Sequence, residues 1–329
     1  MSYGWRDDTR VEDTPKEGGF DYKSARKAYE KEDIEVTTSK PRREDRSKYD
    51  FSGSKGKTPH PKDRVPSVNV KSDIAHPIVI CVDHTGSFEE EVKMILTKLP
   101  LLGKEVERYI PDYNICFTLI GDAISDHQPI QVRDFDHGEA LDTHVKELYP
   151  EGWGGDASES YDLAAYYFTH HCDMPNAIKP IFIWVLDNKT RKRLESQHIL
   201  EYLGDTVQSD LDSVSVLKDL SLKFTVYVVL KGTICRDFWA EIYDDQYIIP
   251  LEDPSDIIEM FIGIIAGEVG KYEDFEMRSK SRHTDRPDRV SRVMKSTKSL
   301  KDKSSPDGGM KAESVSRGSK KTMVSKKLV

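Results

Sequence analysis

The chain alternates short, unbroken apolar runs with longer stretches in which apolar residues recur every three or four positions. Pro77–Val82 is continuous and rich in β-branched residues, which predicts a strand covered on both faces. Asn114–Ile120, Ile181–Leu186 and Phe224–Leu230 repeat that pattern, while Ile130–Phe135 and Gln246–Pro250 predict shorter strands. Between the first two runs, Val92, Ile95, Leu96, Leu99 and Leu102 fall at helical spacing within Glu89–Arg108. Pro100 is expected to kink or end that helix, because it lacks a donor and crowds the preceding turn. Leu141–Leu148, Ser158–His171, Asp237–Tyr243 and Ser255–Val269 predict further helices, the last entered through Asp253-Pro254. Strands alternating with helices imply an α/β, doubly wound, Rossmann-like and mostly parallel sheet with helices on both faces. Sites in such sheets lie beyond the carboxyl ends of the strands.

Charge divides the chain. Met1–Ala75 carries 17 Lys and Arg against 15 Asp and Glu, and Ser279–Val329 carries 15 against 5, which leaves 17 against 38 for His76–Arg278. Both ends are poor in large aliphatic residues and are expected to be disordered, since so little apolar surface cannot offset chain entropy. The expected organisation is a charged arm over residues 1–75, a folded domain over 76–272 and a basic Ser/Lys-rich tail over 273–329. Cys81, Cys116, Cys172 and Cys235 form no C-x-x-C pair, and no stretch approaches 18 consecutive apolar residues. The start M-S-Y-G-W-R-D-D has no apolar signal region. These features imply a reduced intracellular protein, cytoplasmic or nuclear, with no membrane span.

Three polar clusters stand at the expected strand ends. The first is D-H-T-G-S, where Asp83, Thr85 and Ser87 alternate after the opening strand. On an extended loop their oxygens would share one side, about 6–7 Å apart at Cα. One carboxylate and two hydroxyls are hard oxygen donors suited to Mg²⁺ or Mn²⁺. The second is E-G-W-G-G-D-A-S-E-S, whose glycines free a loop that brings Asp156 towards a neighbouring strand end. Asp187 ends I-F-I-W-V-L-D and supplies the third contribution. The bland reading of the same residues is turn and helix-capping chemistry.

This constellation resembles the von Willebrand factor A family and its metal-ion-dependent adhesion site. D-H-T-G-S matches the family's D-x-T-x-S at Asp83, Thr85 and Ser87, and V-L-D-N matches its later Asp at Asp187. Gly154-Gly155-Asp156 departs from the commoner Gly-Gly-Thr and looks like a G-G-D-x-x-E-S variant, here with Glu159 and Ser160. The resemblance covers roughly residues 76–270. It implies a Rossmann-like domain that binds protein partners through Mg²⁺, an acidic side chain of the partner completing the coordination, with no reaction following.

Two other functions compete. A phosphohydrolase would use Asp83 as nucleophile, but it needs a second Asp where Thr85 stands. A scaffold contacting nucleic acid would work through the basic tail, weakly, because aromatic residues for base stacking are absent there. Thr169-His170-His171-Cys172-Asp173 imitates a zinc cluster, yet neighbouring helical residues diverge by about 100°. Gly53–Thr58 imitates a phosphate loop with the wrong spacing. Asp122, Asp126 and His127 read either as groups supporting the site from behind its ligands or as a solvated loop, the loop being favoured.

Overall fold

The computed structural model describes residues 65–66, 69–126, 128–148 and 158–303. A six-stranded sheet forms its centre: β1 (His76–Asp83), β2 (Tyr113–Ile120), β3 (Ile130–Val132), β4 (Ile181–Leu186), β5 (Thr225–Lys231) and β6 (Ile248–Leu251). Their spatial order is β3-β2-β1-β4-β5-β6, with every pair parallel except β2–β3. The helices of six residues or more are α1 (Glu89–Tyr109), α2 (Gly138–Lys146), α3 (Tyr161–His170), α4 (Ser213–Ser221), α5 (Arg236–Tyr243), α6 (Ile257–Glu268), α7 (Tyr272–Arg282), α8 (Pro287–Ser296) and α9 (Lys298–Lys303). No described helix is long and apolar enough to cross a membrane.

The unbroken apolar strands follow from burial on both faces. Ile78, Ile80 and Val82 of β1 enter a core with Val92, Ile95 and Leu102 of α1 and most of α6. Val79 and Cys81 enter the opposite core with Leu163, Ala164 and Phe168 of α3, Leu217 and Leu220 of α4, and Trp239 of α5. Period-two alternation thus sends neighbouring residues into two separate apolar layers.

Three expectations need correction. The helix α1 runs 21 residues without a break through Pro100. Proline there forfeits one backbone hydrogen bond, and the packing of α1 on the sheet and on α6 outweighs that loss. The folded unit also starts earlier than residue 76, since Val70–Lys71 pairs with Cys172–Asp173. The largest difference lies at the other end. Residues 273–303, expected within a disordered tail, form nearly all of α7, α8 and α9, which pack on α6. Their apolar anchors are sparse but fully buried: Tyr272, Phe275, Val293 and Leu300. Gly263 and Gly267 of α6 make room for them, because a Cβ at either position would stand 3.0 Å from the Phe275 ring or 3.1 Å from Leu300. Residues 1–64 and 304–329 lie outside the described residues, as does the Gly53–Thr58 segment.

The helix α4 was not foreseen. Its sequence S-V-S-V-L-K-D-L-S buries Val216, Leu217 and Leu220, and Asp212 caps it, accepting from Ser215 N at 2.9 Å and Ser215 Oγ at 2.8 Å. Asp212→Ala should lower stability by about 1 kcal/mol, the usual cost of a lost N-cap. Urea unfolding followed by circular dichroism measures it, and an unchanged midpoint would mean the cap contributes nothing here.

Candidate metal site at the strand ends

In the order β3-β2-β1-β4-β5-β6 the direction of strand succession reverses between β1 and β4, the place where open α/β sheets form their ligand crevice. Val82 pairs with Val185, so Asp83 and Asp187 leave the sheet on adjacent strands at nearly one level. Asp83, Thr85, Ser87 and Asp187 therefore converge on that crevice. Asp156, with Gly154 and Gly155, falls outside the described residues.

The loop after β1 is curled rather than extended. Asp83 is fully buried, and its Oδ1 accepts from Thr85 N at 2.7 Å and from Thr85 Oγ1 at 2.6 Å. That is an Asx-type turn closing on its own chain. A single 3₁₀ turn, Gly86–Phe88, then leads into α1, with Phe88 N bonded to Thr85 O at 2.9 Å. Curling shortens the separation between the hydroxyls instead of breaking the group, since Thr85 Oγ1 and Ser87 Oγ stand 3.3 Å apart. Neither side chain caps α1, whose first turn has no side-chain acceptor. Of the plain explanation of D-H-T-G-S, the turn half therefore describes Asp83 and Thr85, and the helix-capping half does not describe this loop. Because the Thr85 hydroxyl donates its proton to Asp83, its oxygen accepts from the Ser87 hydroxyl and keeps one lone pair for another partner, and the carboxylate behind it makes that oxygen more basic.

Two further side chains fix the loop. Tyr161 at the start of α3 donates to Asp83 Oδ2 at 2.5 Å. Lys231 at the end of β5 donates to the Ser87 carbonyl at 2.5 Å, pairs with the buried Glu91 at 2.8 Å and lies 5.1 Å above the Phe88 ring. Tyr161 carried no sequence signal beyond that of an ordinary core aromatic residue.

The surroundings are crowded with carboxylates. Asp122 and Asp126, expected on a solvated loop, are buried. Asp126 Oδ2 accepts from Asp122 N at 2.7 Å, and Arg191 donates to Asp122 Oδ1 at 2.8 Å. Burial, a polar network and an arginine hold this loop where composition suggested water. His127 is outside the described residues. Glu159 is 3% exposed, and its Oε2 has no hydrogen-bond partner among the described residues. Burial first, then the charges of Asp83, Asp126, Asp122 and Asp187, push the Glu159 carboxyl far above the ordinary range. Burial likewise raises Asp83, with Asp187 adding to the shift and the bonds from Thr85 and Tyr161 opposing it. His84 is buried and held neutral by that burial, its pKa lowered to about 4. Among the described residues, no three His, Cys, Asp or Glu side chains form a group able to hold a metal ion by themselves. Any cation here would rely on the hydroxyls of Thr85 and Ser87.

Gly121 is the tightest point of the arrangement. A Cβ there would stand 2.2 Å from Asp126 Oδ2 and 3.0 Å from His84 Nε2. Gly121→Ala should therefore cost about 1–3 kcal/mol by overpacking. Thermal unfolding reads this, and a variant as stable as the parent would show that the Asp126 loop yields freely.

The zinc-like segment disperses as helical geometry requires. His170 packs against Tyr166 with ring centroids 4.4 Å apart, His171 Nε2 meets Asp205 at 2.7 Å, and Cys172 is buried.

No family model matches the chain, and no curated protein matches it. Among solved structures it is similar to proximal thread matrix protein 1 from the mussel byssus, with a TM-score of 0.42 and 11% identity over 60% of this chain and 49% of that one. It is also similar to the pilus adhesin SpaC from Lactobacillus rhamnosus GG, with a TM-score of 0.43 and 9% identity over 62% of this chain and 32% of that one. The chain thus spans about half the length of the thread protein and a third of the adhesin. What it belongs to beyond a mixed α/β fold with a six-stranded, mostly parallel sheet rests on its own residues.

Proposed function

We propose that the chain is a cation-dependent protein-binding module of the von Willebrand factor A type, with Mg²⁺ or Mn²⁺ held by Asp83, Thr85, Ser87, Asp156 and Asp187. The carrying observation is the pair of hydroxyls, 3.3 Å apart at the switch point of the sheet and unused in capping the helix that follows. The donor chemistry fits a hard divalent ion, which takes oxygen ligands and retains several waters. Crowding of carboxyl groups supports the same reading: Asp83, Glu159 and Asp187 surround the crevice, where their mutual repulsion favours protonation until a cation relieves it, and the arginine nearby is engaged by Asp122. Asp83 would act chiefly by orienting the Thr85 hydroxyl, since both of its oxygens already accept internal hydrogen bonds. The cation would supply a positive centre on which a partner's carboxylate docks.

The phosphohydrolase alternative is less well supported. A nucleophilic carboxylate must reach its substrate, whereas Asp83 is fully buried between Thr85 and Tyr161. Titration calorimetry of the full chain with Mg²⁺ and Mn²⁺ tests the proposal. Saturable binding weakened at least about tenfold by Asp187→Asn is expected, and wild-type protein that binds neither ion would overturn the reading.

A further inference from the structure

Two large apolar side chains stand in water on either side of the crevice. Ile234 is 97% exposed in the loop after β5, and Ile124 is 50% exposed in the loop after β2. Isolated apolar residues are common on protein surfaces. Ile178 and Leu222 are of that kind here, at the opposite, amino-terminal ends of β4 and β5. Ile124 and Ile234 differ in standing at the carboxyl-terminal ends of the strands, on loops tied to the crevice. The neighbour of Ile234, Cys235, is buried, and its Sγ donates to Asn188 Oδ1 at 3.9 Å, while Trp239 Nε1 donates to Asn188 O at 2.8 Å. The Ile234 loop is thus tied to the residue next to Asp187. Ile124 rides on the loop fixed by Asp126, by Arg191 at Asp122 and by Ser160, whose Oγ accepts from Ala123 N at 3.0 Å.

The sheet sets their spacing. β2 lies beside β1, and β5 lies beside β4, so the two loops flank the crevice symmetrically. Three strand intervals of about 4.8 Å separate β2 from β5 by about 14 Å. An extended chain advances about 13 Å over four residues and places residues i−2, i and i+2 on one side. Lys189, exposed just past Asp187, has no ion-pair partner among the described residues, and it offers a positive contact in a domain of net acidic charge.

We infer that this face receives an extended protein segment of the form apolar–x–acidic–x–apolar, its carboxylate at the cation and its apolar side chains on Ile124 and Ile234. The inference rests on the metal reading above and adds the partner's chemistry to it. Lys189 draws the acidic segment in, and the two isoleucines decide which acidic segments stay.

The full chain, labelled with ¹³C at isoleucine methyls, is titrated with three capped peptides in Mg²⁺ and in EDTA: Gly-Leu-Gly-Asp-Gly-Leu-Gly, its Ser-for-Leu analogue and its Asn-for-Asp analogue. Only the first, and only with Mg²⁺, should shift the Ile124 and Ile234 methyl signals. Ile234→Ser should weaken that peptide about tenfold and leave Mg²⁺ affinity unchanged. If Mg²⁺ binds but the serine or asparagine peptide does as well as the first, the inference falls and the metal reading stands. It falls likewise if the first peptide fails to bind, or binds equally in EDTA. If Mg²⁺ itself does not bind, the metal reading fails and this inference with it.

Discussion

Asp83→Ala should abolish saturable Mg²⁺ and Mn²⁺ binding in titration calorimetry. Two effects combine in that variant. The carboxylate that accepts the Thr85 hydroxyl proton is gone, so Thr85 Oγ1 loses both its orientation and its enhanced basicity. A unit of negative charge is also removed from the centre of the crevice. Alanine leaves the buried Tyr161 hydroxyl and the Thr85 amide without their acceptor, which costs about 1–3 kcal/mol each if unrepaired. Asp83→Asn separates charge from architecture. Its amide keeps an acceptor for Thr85 and offers a donor to Tyr161, so the fold should persist while cation affinity drops at least about tenfold. A second readout follows from linkage. A cation at 100 times its dissociation constant stabilises the wild type by about 2.7 kcal/mol, and neither variant should show that gain. If Asp83→Asn binds Mg²⁺ like the wild type, the loop after β1 is a turn and nothing more.

Much of the sheet was legible because burial on both faces leaves a sequence mark. Pro77–Val82 and Ile181–Leu186 are continuous where half-exposed strands alternate, and both proved to be central strands. The meeting of Asp83, Thr85 and Ser87 was legible for a related reason. Small oxygen-bearing residues alternating directly after such a strand share one short loop, and their side chains do meet. What stayed hidden depends on partners distant in sequence. Asp122 and Asp126 read as loop residues because nothing local shows that Arg191, 69 positions beyond Asp122, turns back to it. The helices α7–α9 read as disordered because charge was counted without its counter-charge. Arg282, Arg289 and Arg292 look solvated in sequence, yet in the fold they face Glu105, Glu259, Asp256 and Asp253. The sequence does carry one mark of this packing: Gly263 and Gly267, four apart in the largely apolar α6, lie on a helix face approached closely by another element.

That buried charge network sets the largest stability effect expected of a single substitution. Arg282 is 5% exposed and joins three helices, donating to Glu105 of α1 at 2.8 Å and to both oxygens of Glu259 of α6 at 2.9 and 2.8 Å. His283 Nε2 lies 3.1 Å from Glu259, and Arg289 donates to Asp256 at 3.0 Å. Arg282→Met keeps most of the side-chain volume and removes the guanidinium from two buried carboxylates, leaving Glu259 with His283 and Glu105 with Arg108. Removing one partner of a buried pair costs about 3–5 kcal/mol. For a domain of this size that lowers the melting temperature by roughly 6–20 °C. The pH dependence separates charge from packing. Burial alone would raise the Glu259 carboxyl, but the hydrogen bond from His283 and the charge of Arg282 take it well below its ordinary value. A carboxyl depressed in the folded state adds stability that is complete above its unfolded pKa of about 4.3 and is lost as the pH falls below it. The wild type should therefore lose stability from about pH 5 downward. In Arg282→Met the Glu259 carboxyl, without the guanidinium, protonates more readily, so the gap between the two proteins should be widest near pH 7 and narrower at pH 4. Denaturant melts at both values decide the matter. A gap independent of pH would mean that Arg282 fastens α7 by its packing, and that its charge contributes nothing.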